Sequence, residues 1–184
     1  MVRSDFLDAL VSQGIRIHVI PTPFYGANCY VISPRSEGNE PVQSLVVDPS
    51  FGAREDIREA LEEDNAYVGA VLATHGHADH VWDCAEIASW APDGPAPVWI
   101  PGPDVYRLDD PASHVSLPVP EEVNAPWVKP ALVKECPVDT FEYVRGVYLR
   151  MLPAPGHTEG SALFLSASEL TVFWNSTRAL DTEV

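Results

Sequence analysis

The order of apolar and polar residues in the first part of the chain predicts strands that alternate with helices. Three segments before residue 50 are apolar and β-branched or alternate with polar positions, and turn residues bound them; they are residues 15–20, 28–33 and 44–48. This pattern predicts a β-strand for each of them. Residues 53–65 instead place Ile57, Ala60 and Leu61 on one helical face with charged residues elsewhere, which predicts an amphipathic helix.

The later segments continue this pattern. Residues 68–74 form a short apolar run, which is typical of a strand buried on both faces. Residues 78–90 have apolar positions at helical spacing until Pro92 stops the helix. Further strands are predicted at residues 98–100, 141–145, 147–152, 162–165 and 170–174. Strands and helices that alternate, followed by several strands, indicate a mixed α/β fold.

A proline-rich segment at about residues 101–138 interrupts the pattern. It contains eight prolines, and only the stretch around residues 105–108 favours one or two helical turns. Connections of this length are uncommon in compact domains and are usually functional or mobile. The alternative is an ordered cover over one edge of a sheet. Tyr106 and Trp127 within the segment could line a substrate pocket or contribute only to packing.

The composition narrows the class of partner. The 184 residues are 46% hydrophobic, enough for a buried core. A total of 11 Lys and Arg against 27 Asp and Glu gives a formal charge of −16, which repels polyphosphate, so neither nucleic acid nor an anionic membrane is expected as a partner. With no long apolar run and no secretory segment at its start, a cytoplasmic protein is expected. The widely spaced Cys29, Cys84 and Cys136 predict buried thiols rather than disulfides or zinc ligands.

Candidate metal ligands are concentrated in one seven-residue segment. Residues 74–80 read Thr-His-Gly-His-Ala-Asp-His and hold three of the six histidines. His75 would lie at the carboxyl end of strand 68–74, where ligand sites of α/β sheets collect, and Gly76 would let the chain bend so that His77 aims at the same point. Imidazole and carboxylate groups suit Zn²⁺, or Fe or Mn in similar sites. The alternative is an exposed histidine-rich turn that holds no metal.

A second motif supplies another histidine. Residues 153–161 read Pro-Ala-Pro-Gly-His-Thr-Glu-Gly-Ser and place His157 in a turn directly after strand 147–152. Together with His75 and His77, it would form a three-histidine site with an open fourth position. That arrangement is typical of catalytic rather than structural zinc.

The motifs THGHADH and PGHTEGS together resemble the metallo-β-lactamase superfamily, particularly its glyoxalase II-like branch of small hydrolases. Two shorter features support the resemblance: residues 28–31 are similar to an early strand of the family, and residues 46–49 to its strand that ends in a buried aspartate. The resemblance covers roughly residues 15–175. It implies a single domain over residues 1–184 with a four-layer αββα sandwich and a metal site along one rim.

The resemblance also implies roles for individual residues. The ligands of the first metal would be His75, His77 and His157. Asp79 and His80 would belong to a second metal site, and Asp79 would also contact the attacking water as the catalytic residue. Asp48 would orient a metal-bound histidine or its loop; the alternative for Asp48 is a turn or cap before helix 53–65.

The sequence departs from the family pattern after residue 170. Ser176 stands where the family has a bridging aspartate, and the chain ends at Val184 without the family's late histidine. Asp181 is a later carboxylate that reaches the site only if the tail folds back. We therefore expect a sandwich that is incomplete at its C-terminus, with one zinc ion held firmly and too few ligands for a tight second one. Exposed apolar surface would then favour a homo-oligomer or instability.

Two functions from different classes follow. The first is a metal-dependent hydrolase that uses activated water on a thioester or small ester, like a hydroxyacylglutathione hydrolase. The alternative is a truncated, catalytically weak or inactive remnant of the fold that binds one metal or none. A phosphodiesterase or ribonuclease, also known in the superfamily, ranks third because the chain is acidic and has only two lysines, Lys129 and Lys134.

Overall fold

A computed structural model describes residues 14–35, 38–114, 119–121, 123, 125–166 and 171–173. Within these residues the chain forms two β-sheets packed face to face, and α-helices cover the other face of the larger sheet. The mixed α/β prediction is therefore confirmed. The described residues supply three of the four layers expected for the sandwich: one of helices and two of strands.

The larger sheet has six strands in chain order. They are β1 (Ile15–Pro21), β2 (Asn28–Pro34), β3 (Val42–Val47), β4 (Ala66–Leu72), β5 (Val98–Ile100) and β6 (Val133–Glu135). The pairs β1–β2 and β2–β3 are antiparallel, whereas β3, β4, β5 and β6 run parallel to one another. Because β3 and β4 are parallel, their carboxyl ends meet at the same edge of the sheet.

The smaller sheet is antiparallel throughout. Its strands are β7 (Thr140–Val144), β8 (Val147–Pro153), β9 (Ala162–Ser166) and β10 (Thr171–Phe173), in the spatial order β10-β9-β8-β7. Val147, Leu149 and Met151 alternate with more exposed residues along β8 and face the larger sheet. This period of two is the reason the sequence pattern located the strand correctly.

The helices are short. They are α1 (Arg54–Glu63), α2 (Ala78–Val81) and α3 (Cys84–Ala88), followed by two 3-10 helices, Gly102–Asp109 and Pro111–His114. The prediction of one continuous helix over 78–90 is wrong. The backbone N–H of Asp83 donates to the carbonyl of Pro49 instead of continuing the helical ladder, and this contact separates α2 from α3.

The described part of the proline-rich segment is more regular than its composition predicts. The first 3-10 helix spans eight residues, which is longer than the one or two turns expected around 105–108, and it begins at Gly102 beside two prolines. Strand β6, which the sequence pattern did not predict, pairs with β5 at the edge of the larger sheet. The segment therefore covers a sheet edge, as the alternative interpretation expected.

Two apolar cores follow from the two faces of the larger sheet. Along β2, Cys29 and Val31 face the helices, whereas Ile32 faces the smaller sheet. All three cysteines are buried and unpaired, and burial raises the pKa of the Cys136 thiol to about 12, so they act as small apolar side chains.

Some sequence predictions fall outside the described residues. They concern Ser176, Asp181 and the ends of the strand predicted at 170–174. In the described ranges, no helix has the length and apolar character needed to cross a membrane.

A buried carboxylate joins β1 to the end of α1. Asp64, the residue that caps α1, lies 3.0 Å from Arg16 Nη1 and 3.1 Å from His18 Nε2. The neighbouring Asp64 raises the pKa of His18. Burial opposes ionisation of Asp64, but His18, Ser33 and Arg16 outweigh it and keep the pKa of Asp64 below its ordinary value.

We expect His18→Gln to lose more stability at about pH 5.5 than at about pH 8.5. The pKa of His18 is raised on folding, so its contribution is present below its unfolded pKa and is lost as pH rises through the folded pKa. The lowered pKa of Asp64 keeps that carboxylate charged at both values. Urea unfolding at the two pH values measures the difference. Arg16→Gln removes a partner of the same carboxylate that does not titrate in this range, so its effect should not depend on pH; equal losses for His18→Gln at both values would contradict the assignment.

Candidate metal centre

The candidate site lies where β3 and β4 end side by side. Asp48 directly follows β3, and its backbone N–H donates to the carbonyl of Leu72, the last residue of β4, at 2.8 Å. Asp48 has a positive φ of 50°, a conformation that aspartate tolerates better than most residues. The chain after β4 continues through Thr74 into the histidine segment, so the sheet places Asp48 beside that segment.

The Asp48 carboxylate fixes the start of this segment. Oδ1 accepts a hydrogen bond from Thr74 N at 2.7 Å, and Oδ2 accepts one from Thr74 Oγ1 at 2.7 Å. Oδ2 also lies 3.0 Å from His80 Nδ1. Helix α1 begins later, at Arg54, with Ala53 as its N-cap. Asp48 is therefore not the cap of α1, and its contacts fix the start of the histidine segment. Its role towards a metal-bound histidine stays a prediction.

Three imidazoles from two distant segments converge. Ligand atoms of His75, His77 and His157 all lie within 4.8 Å of one another. His77 Nδ1 is 2.9 Å from His157 Nε2, and the ring centroids of His75 and His157 are 4.8 Å apart. The structure therefore brings together the three residues that the two motifs proposed as ligands of the first metal.

The donor set fits a metal ion. His75 Nδ1 lies 3.2 Å from Thr74 Oγ1, which leaves Nε2 as the available nitrogen, and Nε2 is buried with no hydrogen-bond partner among the described residues. Nitrogens bound to a tetrahedral zinc at about 2.0–2.1 Å are about 3.4 Å apart. His77 Nδ1 and His157 Nε2 are 2.9 Å apart, and the ligand atoms of all three histidines lie within 4.8 Å of one another, a range that includes this value.

His75 and His77 also have the protonation state that metal binding requires. Burial, together with the neighbouring imidazoles, lowers the pKa of His75 far below its ordinary value. Burial and His157 lower the pKa of His77 to about 4. Neutral imidazole is the form that binds a metal, so neither residue must lose a proton at neutral pH.

Asp79 and His80 lie beside these histidines at the start of α2. His80 is fully buried, with Nδ1 near Asp48 and Nε2 3.2 Å from Asp79 Oδ2. Burial lowers the pKa of His80, but the Asp48 and Asp79 carboxylates outweigh burial and raise it to about 9. Burial opposes ionisation of Asp79, yet His80 outweighs it and lowers its pKa. The assignment of Asp79 and His80 to a second metal stays a prediction.

Sequence reasoning missed two residues next to the site, Asp104 and Arg107, both in the first 3-10 helix. Asp104 is fully buried and contacts both histidine loops, and Arg107 Nη2 lies 2.6 Å from Glu159 Oε2. The only signal was an acidic residue in a proline-rich stretch, which is too common to be informative. Trp127, considered above as a pocket residue, packs on Trp82 and donates to the carbonyl of a buried residue, so it contributes to packing.

Comparisons with known proteins agree with this geometry. A family model described as the metallo-beta-lactamase superfamily matches residues 22–168. An uncharacterised protein of Mycobacterium tuberculosis is 30% identical over 146 residues, which cover 78% of this chain and 62% of the relative. The chain thus spans less than two thirds of that relative's length.

Solved structures share the fold. The BLEG-1 B3 metallo-beta-lactamase has a TM-score of 0.62 and 18% identity, with 83% of this chain and 68% of that chain covered. TTHA1623 in a di-iron-bound form has a TM-score of 0.60 and 21% identity, with 82% of this chain and 67% of that chain covered. At these identities the likeness shows the fold alone, and it confirms the expected metallo-β-lactamase-like architecture.

Asp48→Asn should destabilise the metal-free protein by about 3 kcal/mol at neutral pH, because the amide leaves the buried His80 cation with one carboxylate instead of two. Urea unfolding measures this loss. The control is Asp109→Asn, which removes an exposed carboxylate paired with Lys129 at 2.6 Å and should cost less than about 1 kcal/mol. Similar small losses in both variants would contradict the role of Asp48.

Proposed function

We propose that this chain, which belongs to the metallo-beta-lactamase superfamily, is a metal-dependent hydrolase of a thioester or small ester. The observation that carries the proposal is the convergence of His75, His77 and His157 on one point with Asp79 nearby. Three neutral imidazoles and an open position are the ligand set of catalytic zinc sites. The glyoxalase II-like motifs of the sequence support the thioester as substrate.

The histidines would hold the ion, and the carboxylates around them would support the reaction. A bound Zn²⁺ supplies Lewis acidity and lowers the pKa of water, so that hydroxide is available as the nucleophile at neutral pH. Asp79 is buried and ionised, so its carboxylate is available to orient the attacking water and accept its proton. The His80 imidazolium balances the charge of Asp48 and Asp79. Iron and manganese are alternative metals, and the di-iron form of a structural neighbour supports iron as a candidate.

The surroundings of His157 are consistent with a small substrate. An open cleft of about 310 Å³ adjoins this histidine. Its lining residues are Arg107, Pro155, Gly156, His157, Thr158 and Glu159. This volume suits a small organic molecule, and the formal charge of −16 favours such a substrate over nucleic acid.

The second candidate is a catalytically weak or inactive protein of the same fold that binds one metal or none. Ser176 at the position of the family's bridging aspartate favours it. So do the contacts of His80, because both of its ring nitrogens already face carboxylates. These two observations argue against tight binding of a second metal ion, and they do not concern the three-histidine group.

The first experiment measures metal content. After purification without chelators, elemental analysis should find about one zinc or iron per chain in the wild type and less than about 0.2 in His77→Ala. His18→Gln removes a histidine on β1 outside the three-histidine group and should retain the metal. A wild type with less than about 0.2 metal per chain would reject the hydrolase proposal.

The second experiment measures turnover of an S-acylglutathione thioester and of p-nitrophenyl acetate. Asp79→Asn should lower kcat by about 10²- to 10⁴-fold, because the amide cannot accept a proton. Its metal content should remain close to that of the wild type, since the three histidines are unchanged. A metal-loaded wild type that hydrolyses neither compound would favour the inactive alternative.

A further inference from the structure

A buried carboxylate outside the histidine group joins its two loops. Asp104 lies in the first 3-10 helix and has no solvent-exposed surface. Its Oδ2 accepts hydrogen bonds from Gly76 N at 2.8 Å and from Thr158 Oγ1 at 2.7 Å. Its Oδ1 accepts one from Gly160 N at 2.8 Å. Three donors from two distant parts of the chain therefore meet on one side chain.

The positions of these donors give the contact its significance. Gly76 lies between His75 and His77, and Thr158 directly follows His157. Each loop that carries candidate metal ligands is thus fixed to the same carboxylate within one residue of a ligand. The relative placement of the two loops depends on where Asp104 lies.

The glycines of both loops permit this close approach. A Cβ atom on Gly160 would lie 2.6 Å from Asp104 Cγ, and one on Gly76 would lie 2.8 Å from Arg107 Cβ. Both distances are far below ordinary contact, so any larger residue would push the 3-10 helix away from the loops. Gly76 and Gly160 therefore have a shared structural reason, which is the close approach of the 3-10 helix that carries Asp104.

The charge of this carboxylate is partly balanced. Arg107 Nε lies 3.3 Å from Asp104 Oδ1, and the same guanidinium pairs with Glu159 on the His157 loop. Since both carboxylate oxygens accept from the loops, asparagine cannot replace aspartate without turning an NH₂ group towards a donor.

We propose that Asp104 is a positioning residue of the metal centre, which sets the relative placement of the His75–His77 loop and the His157 loop before a metal binds. The proposal rests on the proposed metal-dependent function. Without this carboxylate, the metal would have to order the two loops when it binds. The free-energy cost of that ordering would lower the metal affinity. Mutation of groups that orient metal ligands from outside the coordination sphere typically lowers metal affinity by about 10- to 100-fold.

The test measures zinc affinity by competition with a chelator, together with hydrogen exchange of the metal-free protein. Asp104→Asn should weaken zinc binding by about 10- to 100-fold and accelerate exchange in both histidine loops. The matched control is Asp64→Asn, which also removes a buried carboxylate that contacts Arg16 and His18 but lies outside the loops. This variant should lose stability yet keep zinc affinity within about twofold of the wild type.

A second pair of variants covers the case in which Asp104→Asn does not fold. Thr158→Val removes the hydroxyl that donates to Asp104 and should weaken zinc binding, whereas Thr158→Ser keeps the hydroxyl and should restore the affinity. A variant that merely destabilised the fold would not show this dependence on the hydroxyl.

The outcomes separate the two proposals. Wild-type zinc affinity in both Asp104→Asn and Thr158→Val would overturn the positioning role while the metal-dependent function stands. A wild type that binds neither zinc nor iron would overturn the proposed function. In that case hydrogen exchange of the metal-free protein still tests whether Asp104 fixes the two histidine loops. Unchanged exchange in Asp104→Asn would then overturn the positioning role as well.

Discussion

Two fully buried carboxylates hold the histidines of this protein in place. Asp48 binds the backbone and hydroxyl of Thr74, and Asp104 binds backbone N–H groups on both sides of the site. Between them, the two carboxylates bind the loops that carry His75, His77 and His157. The site therefore depends on charge-assisted hydrogen bonds to loops, which are stronger than neutral ones and fix the backbone rather than the ligand atoms.

Burying these carboxylates requires compensation, and the structure supplies it from positive groups close by. His80 lies between Asp48 and Asp79, and Arg107 lies beside Asp104. A buried charge without such a partner would cost several kcal/mol. Burial, together with the neighbouring imidazoles and Arg107, lowers the pKa of His75 and of His77, although Asp79 acts in the opposite direction on His77. His75 and His77 thus remain neutral in a chain whose overall charge is strongly negative.

The sequence predicted what depends on local pattern. Alternating and continuous apolar runs located the described strands of both sheets except β6, and the two histidine motifs located three residues that converge across about 80 positions of the chain. The break between α2 and α3 was missed because it depends on a bond from Asp83 to a carbonyl on a distant loop. Asp104 was missed for the same reason, since its three partners lie 28, 54 and 56 residues away. Long-range hydrogen bonds leave no periodic signal.

The fold alone does not decide the substrate, because structures at 18% and 21% identity share it with this chain while the residues of the site carry the chemistry. The cleft of about 310 Å³ beside His157 is open to a small molecule. There the guanidinium of Arg107 is already paired with Glu159 at 2.6 Å. A strongly anionic substrate group would have to displace that carboxylate, whereas a neutral polar group, such as an acyl or amide function, could bind without breaking the pair. For the proposed hydrolase, the charges that line this cleft therefore favour an uncharged portion of the substrate next to His157.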